Sequence, residues 1–279
     1  MREIGLRLRQ NRLALAGLVL ILLFMLMALF APLIAPYDPY RIDESAVLSP
    51  PSAEHPLGTD SFGRDVLSRL LHGARISFKV GFISVGIALT AGVLIGALAG
   101  YSGRWVDAAL SRVIDVLFSF PDILLALVIM AVLGASLTNV MIAIGIVYTP
   151  IFARITRGAV LEIKGSLFID AARVLGAGRL TVLRRHILPN VMAPIIVQTT
   201  LSLAFAILAE AALSFIGLGV EPDTPSWGIM LNEGKDWMEA AWWIAVFPGL
   251  AITLAVLGFN VLGDGLRDAL DPRLRGERL

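Results

Sequence analysis

LALAGLVLILLFMLMALFAPLI, residues 13–34, contains no charged side chain. As a helix rising ~1.5 Å per residue it is ~33 Å long, enough to cross a hydrocarbon core about 30 Å thick. Five more apolar stretches follow: about Phe78–Tyr101, Leu117–Leu133, Leu137–Phe152, Val191–Gly217 and Ala241–Leu262. The fourth is short and carries a Tyr148-Thr149-Pro150 break. Lipid offers the backbone no hydrogen-bond partner, so all six are expected to be helices. The chain therefore reads as an all-α membrane protein with six transmembrane helices. The composition agrees: of 279 residues, 57% are hydrophobic and only 16% charged, where a soluble domain carries about 25% charged. The first stretch has the basic start of a signal peptide, but its apolar run is about twice the usual 7–15-residue core, so it is expected to be retained.

Basic residues fix the orientation. Arg2, Arg7, Arg9 and Arg12 precede the first span. Arg154, Arg157, Lys164, Arg173, Arg179, Arg184 and Arg185 lie between spans four and five, and Arg267, Arg273, Arg275 and Arg278 follow the sixth. All three groups reach the cytoplasm if both termini do. The loop Val220–Ala240 has a single Lys235 among Glu221, Asp223, Glu233, Asp236 and Glu239. It fits the outside, with Trp237, Trp242 and Trp243 as interface anchors. The outer loop Tyr37–Ile76 fits least well, because it holds Arg41, Arg64, Arg69 and Arg75. Within it, Asp65–Arg75 reads as an amphipathic surface helix on which Asp65 and Arg69 pair at i,i+4; Gly58 and Gly63 suit turns. Gly92, Gly96 and Gly100 form a ridge in the second span that lets another helix approach closely.

The residue inventory excludes other classes. No basic block suggests nucleic acid, and with no cysteine there is neither disulfide nor thiolate metal site. His55, His72 and His186 lie outside the spans, so a serine in the membrane has no histidine base. Gly134-Ala135-Ser136 lacks the glycine expected after an exposed nucleophile. Asp38 and Asp264 sit at opposite ends of their spans and cannot form an aspartyl pair. There is no His-Glu-x-x-His zinc motif, and Gly234-Lys235-Asp236 is not a phosphate loop. No catalytic, cofactor or metal residue is expected; if ATP drives this chain, another protein binds it.

The inner stretch Arg154–Pro189 is patterned for two short helices. Ser166 can cap the first, Leu167–Leu175, Gly176 can stop it, and a second runs from about Arg179 to Pro189. Phe168, Ile169, Ala172 and Leu175 give the first an apolar stripe. From pattern alone, this hairpin is either a dock for another protein or a connector tucked under its own bundle. Glu210 lies well inside the fifth span, where an unpaired charge costs at least ~2.5–3.5 kcal/mol. It either lines the outer part of a pathway or packs, protonated or paired, between helices. Asp122, Gln198 and Asn260 are read as packing residues.

Asp170-Ala171-Ala172, three residues, Gly176, then Leu188-Pro189 resembles the Glu-Ala-Ala loop of ABC importer permeases, with Asp170 replacing Glu and His186 replacing Ile at retained spacing. His55-Pro56-Leu57-Gly58-Thr59-Asp60 with Gly63-Arg64-Asp65, the run Ala209–Gly219 with Pro225-Ser226-Trp227-Gly228, and Leu262–Arg273 are similar to the dipeptide, oligopeptide and nickel branch, C-type subunit. The resemblance spans nearly the whole chain. It implies a type I importer fold in a prokaryotic inner membrane. Residues 1–76 would form a tail, first span and external loop, and residues 77–279 a five-helix core with a coupling loop at 153–189. It also implies a homologous second permease, two cytoplasmic ATPase subunits holding ATP and magnesium, and an external substrate-binding protein. Asp170, Ala171, Ala172, Gly176, Leu188 and Pro189 would couple to the ATPase, and Glu210 would be a candidate gate. The cargo implied is a di- or oligopeptide, with nickel, glutathione or another small solute as alternatives. A passive channel or ion-coupled carrier is the rival class, and it has no need of such a dock.

Overall fold

The computed structural model describes residues 11–219, 221 and 223–270; the expected basic residues Arg2, Arg7, Arg9, Arg273, Arg275 and Arg278 lie outside them. The helices are α1 (Arg12–Ile34), α2 (Val66–Tyr101), α3 (Arg104–Phe118), α4 (Asp122–Leu133), α5 (Leu137–Lys164), α6 (Leu167–Val174), α7 (Arg179–Thr181), α8 (Met192–Phe215), α9 (Trp227–Lys235) and α10 (Trp243–Leu270). Five of them are long and apolar enough to cross a membrane, and the bent pair α3–α4 makes a sixth crossing if counted as one.

Asn11 starts α1 by accepting from the amides of Leu13 and Ala14, both at 3.1 Å. Ala14, Gly17, Ile21, Phe24, Ala28 and Ala31 are buried at alternating spacings of three and four, while Leu22, Leu26, Leu29 and Leu33 face outward. Exposed leucines are stable there because the surrounding solvent is hydrocarbon. The buried stripe crosses α10 so closely that a side chain at Gly17 would meet the Gly258 carbonyl at 2.8 Å. Ala14 lies against Gly265, so the beginning of α1 and the end of α10 share one end of the bundle.

The centre is the α2–α5 pair, the most extensive packing in the fold. The expected glycine ridge lies in this interface. A Cβ at Gly92 would sit 2.7 Å from the Thr149 carbonyl, at Gly96 2.8 Å from Thr156 Cβ, and at Gly100 2.9 Å from Val160 Cβ. At the inner end, Lys164 Nζ donates to the carbonyls of Gly100, Tyr101 and Ser102, closing the end of α2.

Several expectations are corrected. The third span is not one straight helix: α3 and α4 meet at 91°. Pro121 lacks an amide and pushes Phe120 out of helical geometry. Moreover α3 carries charges, and its Asp107 and Asp115 pair with Arg157 (2.5 Å) and Arg154 (3.0 Å) of α5. The fourth span does not break at Pro150; α5 continues to Lys164, so Arg154–Lys164 is helix rather than loop. Asp65–Arg75 is not a separate surface helix but the buried beginning of α2, which runs unbroken past residues 76 and 77. Trp243 is not an interface anchor: it is buried, and its Nε1 donates to the Thr59 carbonyl at 3.0 Å.

The segment between α1 and α2 forms a cap over the bundle's other end. Gly58 and Gly63 have positive φ, as the expected turns require. Unexpected from sequence is α9, a short helix begun by Ser226, whose Oγ accepts from the Ile229 amide. It carries the fully buried Trp227 against Phe24 and Phe78, with ring centroids 5.6 and 6.0 Å away.

Candidate functional site

The hairpin after α5 brings together six of the seven expected site residues. Asp170, Ala171 and Ala172 lie on α6, Gly176 ends it, and Leu188 and Pro189 lie in the return leg. Ser166 occupies the position before α6 but does not cap it; its hydroxyl donates backward to the Ile163 carbonyl at 2.7 Å. Asp170, in the first turn, pairs with Arg173 at 3.0 Å on an open surface. Gly176 stops the helix at φ +85°. Its amide donates to the Arg173 carbonyl (2.9 Å) and that of Ala177 to the Ala172 carbonyl (3.0 Å). This pair of bonds satisfies carbonyls that the helix end leaves unpaired, in a backbone form that glycine adopts without steric cost.

The return leg is more unusual than the sequence suggests. After α7 the chain takes a π-helical turn, Val182–Ile187, then a tighter 3₁₀ turn, Leu188–Asn190, before α8. Pro189 sits in that 3₁₀ turn, and Asn190 Nδ2 donates to the His186 carbonyl at 2.7 Å. Simple helical periodicity does not announce the extra residue of a π turn, though such turns frequently mark functional sites.

Burial divides α6 into two faces. Ile169 is 0% exposed and belongs to the core with Val182 and Ile187, also buried. Of the expected stripe, Phe168 and Leu175 turn the other way. With Leu167 and Val174 they leave an apolar surface open, Leu175 at 88%. Ala171 is exposed and Ala172 half-buried. Among the described residues, and apart from its immediate chain neighbours, no atom lies within 4 Å of where a Gly176 side chain would begin.

Glu210 is elsewhere, near the opposite end of α8. It is 0% exposed. Ser77 of α2 donates to one carboxylate oxygen and Ser214 to the other, both at 2.9 Å. The carboxylate is thus enclosed and hydrogen-bonded where three helices meet, since Gly228 of α9 rests against Ala211 and Ser214.

A second polar cluster was not foreseen. Asp60 accepts from Arg64 Nε at 2.6 Å and Arg69 Nη1 at 2.5 Å, while Glu233 of α9 accepts from Arg64 Nη2 at 3.0 Å and forms an ion pair with Arg69 Nη1 at 3.0 Å. Asp65 does not pair with Arg69. It caps α2 through the Ser68 amide (2.8 Å) and contacts His55 Nδ1 at 3.0 Å. Two arginines of the outer loop are therefore neutralised internally. The signal was the acidic Asp60 and Glu233, 173 positions apart and invisible as partners in one dimension.

Comparison with known proteins agrees with this geometry. Residues 92–276 match the model of the binding-protein-dependent transport system inner membrane component. Residues 1–51 match the N-terminal TM domain of oligopeptide transport permease C. The chain is 48% identical to the dipeptide transport system permease protein DppC of Alkalihalophilus pseudofirmus, covering 98% of this chain and 90% of that protein. It is 49% identical to the di/tripeptide transport system permease protein DppC of Pseudomonas aeruginosa, over 95% and 89%. It is 47% identical to the glutathione transport system permease protein GsiD of Escherichia coli, over 97% and 89%. Among solved structures, a chain of the MetNI methionine ABC transporter in an inward-facing conformation superposes with TM-score 0.60 at 18% identity, covering 73% of this chain and 96% of that one. The last likeness concerns the fold alone.

Proposed function

Because the chain belongs to the family of inner-membrane components of binding-protein-dependent transport systems, we propose that it forms half of a translocation pathway for di- or oligopeptides and is driven by ATPase subunits seated on the α6 hairpin. As a member it is a multi-pass permease of a bacterial ABC importer and not an enzyme. The proposal concerns the cargo, the partners and the residues that couple them.

The open apolar face of α6 carries the reading. Leu167, Phe168, Val174 and Leu175 are exposed on a two-turn helix beyond the end of α5. In such docks a few well-packed residues supply most of the binding energy. Ala171 and Ala172 keep the approach low, Gly176 holds the turn, and Leu188 and Pro189 join the dock to α8. ATP-driven closure of the ATPase pair would move this hairpin, and with it the helices it joins. A homologous second permease would supply the other half of the pathway, and an external binding protein would deliver the cargo. Glu210 serves here as a tie between α2 and α8 that positions the outer pathway.

Dipeptides and tripeptides come first because relatives 48–49% identical bear those names. Glutathione is the second reading, from the relative at 47%. The deciding experiment is mild purification from native membranes, followed by identification of copurifying chains and of the ligand in the binding protein. ATPase subunits, a second permease and a bound short peptide are expected. A chain that purifies without any ATPase sinks the proposal; bound glutathione moves the cargo to the second reading.

A further inference from the structure

Two outer arginines were accounted for by Asp60 and Glu233. Arg75 is not, nor is Lys79 one turn later. Both are exposed on α2, and among the described residues neither joins an ion pair. From Val80 to Tyr101 the helix has no charge, a run of ~33 Å at 1.5 Å per residue that fills the hydrocarbon slab. Lys79 therefore sits at the outer edge of that slab, with Arg75 on the same helix face. Isolated cations at such a level are costly unless they reach an anion or the headgroup layer.

Directly beside them is a groove of about 390 Å³ between α1 and α2. Leu22, Leu26 and Leu29 form one wall and Phe78 and Phe82 the other, while Arg75 and Lys79 stand among the lining residues. On α2 the order is Arg75, Phe78, Lys79, Phe82, a single face that alternates cation and aromatic ring. The groove is nearly all hydrocarbon, and among the described residues its only charges are two cations without counter-ions.

We propose that this groove binds an anionic phospholipid of the outer leaflet, the acyl chain lying between α1 and α2 and the headgroup phosphate taken by Arg75 and Lys79. A phospholipid fits both halves of the site at once. It would also fasten α1, which faces lipid with most of its surface, to the body of the bundle. A helix of the partner permease is the competing occupant of the apolar part, and it is the one the test must exclude.

The test uses the intact transporter purified with its partner chains and reconstituted in nanodiscs of mixed phosphatidylglycerol and phosphatidylcholine. Retained lipid is read by native mass spectrometry after detergent release. The wild type is expected to keep phosphatidylglycerol in preference to phosphatidylcholine, and Arg75→Gln/Lys79→Gln to lose that preference at least fivefold while retaining its partners. Leu26→Trp, which fills the groove but keeps both cations, is expected to lose the retained lipid as well. Equal phosphatidylglycerol retention by the double variant and the wild type overturns the proposal. So does a photo-reactive residue at Leu26 that cross-links to the partner permease rather than to lipid.

Discussion

At the outer end of the bundle Arg64 and Arg69 lie buried against Asp60 and Glu233, whereas at the inner end Arg173 meets Asp170 in the open. The same chemistry has opposite weight in the two places. Removing one partner of a buried pair leaves an uncompensated charge and costs about 3–5 kcal/mol; an exposed pair is worth about 0–1 kcal/mol. The outer cap is therefore locked to α2 and α9 by this chain's own residues. The inner hairpin is anchored through the Ile169–Val182–Ile187 side and leaves its apolar face open. The difference separates what the subunit fixes for itself from what, on the proposed reading, assembly supplies.

The contrast can be broken most forcefully at Arg69. Arg69→Ala is expected to lower the thermal midpoint of the purified complex strongly or to abolish its accumulation in the membrane, while Arg173→Ala changes the midpoint little. Comparable midpoints for the two variants would remove the contrast. Next in size is Gly176. A left-handed backbone costs a non-glycine residue about 1–3 kcal/mol, and Asn tolerates it better than most. Gly176→Trp should remain in the membrane yet lose at least tenfold in transport coupled to ATP hydrolysis. Gly176→Asn should keep most of it, and equal losses would assign the defect to the turn rather than to bulk at the dock. Third is Glu210. Glu210→Ala leaves two buried hydroxyls without their acceptor, a loss of about 1–3 kcal/mol, and Glu210→Gln preserves one amide oxygen for them. Uptake should fall for Ala and survive for Gln, with assembly retained in both; equal loss in the two would point to the carboxylate's charge instead.

The smallest expected effect concerns acid. Asp43, in the exposed cap, accepts from the Ser45 hydroxyl at 2.6 Å and the Ser45 amide at 3.0 Å. The hydroxyl bond first, and the amide bond after it, hold its carboxyl below the usual carboxylate value. A carboxyl whose folded value is depressed contributes stability above its unfolded value and loses it as pH falls through the folded one. A slight decline of the thermal midpoint below about pH 4 should flatten in Ser45→Ala. An unchanged acid limb in that variant would show that this turn takes no part.

The sequence yielded the features written in local repetition. The uncharged run 13–34, the four-residue glycine spacing and the glycine after Leu175 each depend on neighbours a few residues away. What it concealed depends on distance. The i,i+4 rule paired Asp65 with Arg69, but Asp60 and Glu233 win because both carboxylates reach Arg69 Nη1. Hydropathy alone made one span of Leu117–Leu133, yet Pro121 and the ion pairs of α3 turn the chain by 91°. Pro150 looked like a break, but α5, seated along α2, continues through it. Trp243 looked like an interface residue until the Thr59 carbonyl gave its indole nitrogen an internal acceptor. At the candidate site the linear spacing placed the six hairpin residues together and could not show which face of α6 is occupied; only the packing of Ile169 reveals that.

The seating of α2 on α5 has a mechanical consequence. With Thr149, Thr156 and Val160 pressed to within 3 Å of where side chains on Gly92, Gly96 and Gly100 would begin, neither helix can slide a residue along the other without collision. The two must swing as one stiff beam. One end of that beam continues into the hairpin and the other is bolted through Arg69 to the cap, so on the proposed coupling a push at the hairpin would reach the cap with little lost to internal slip.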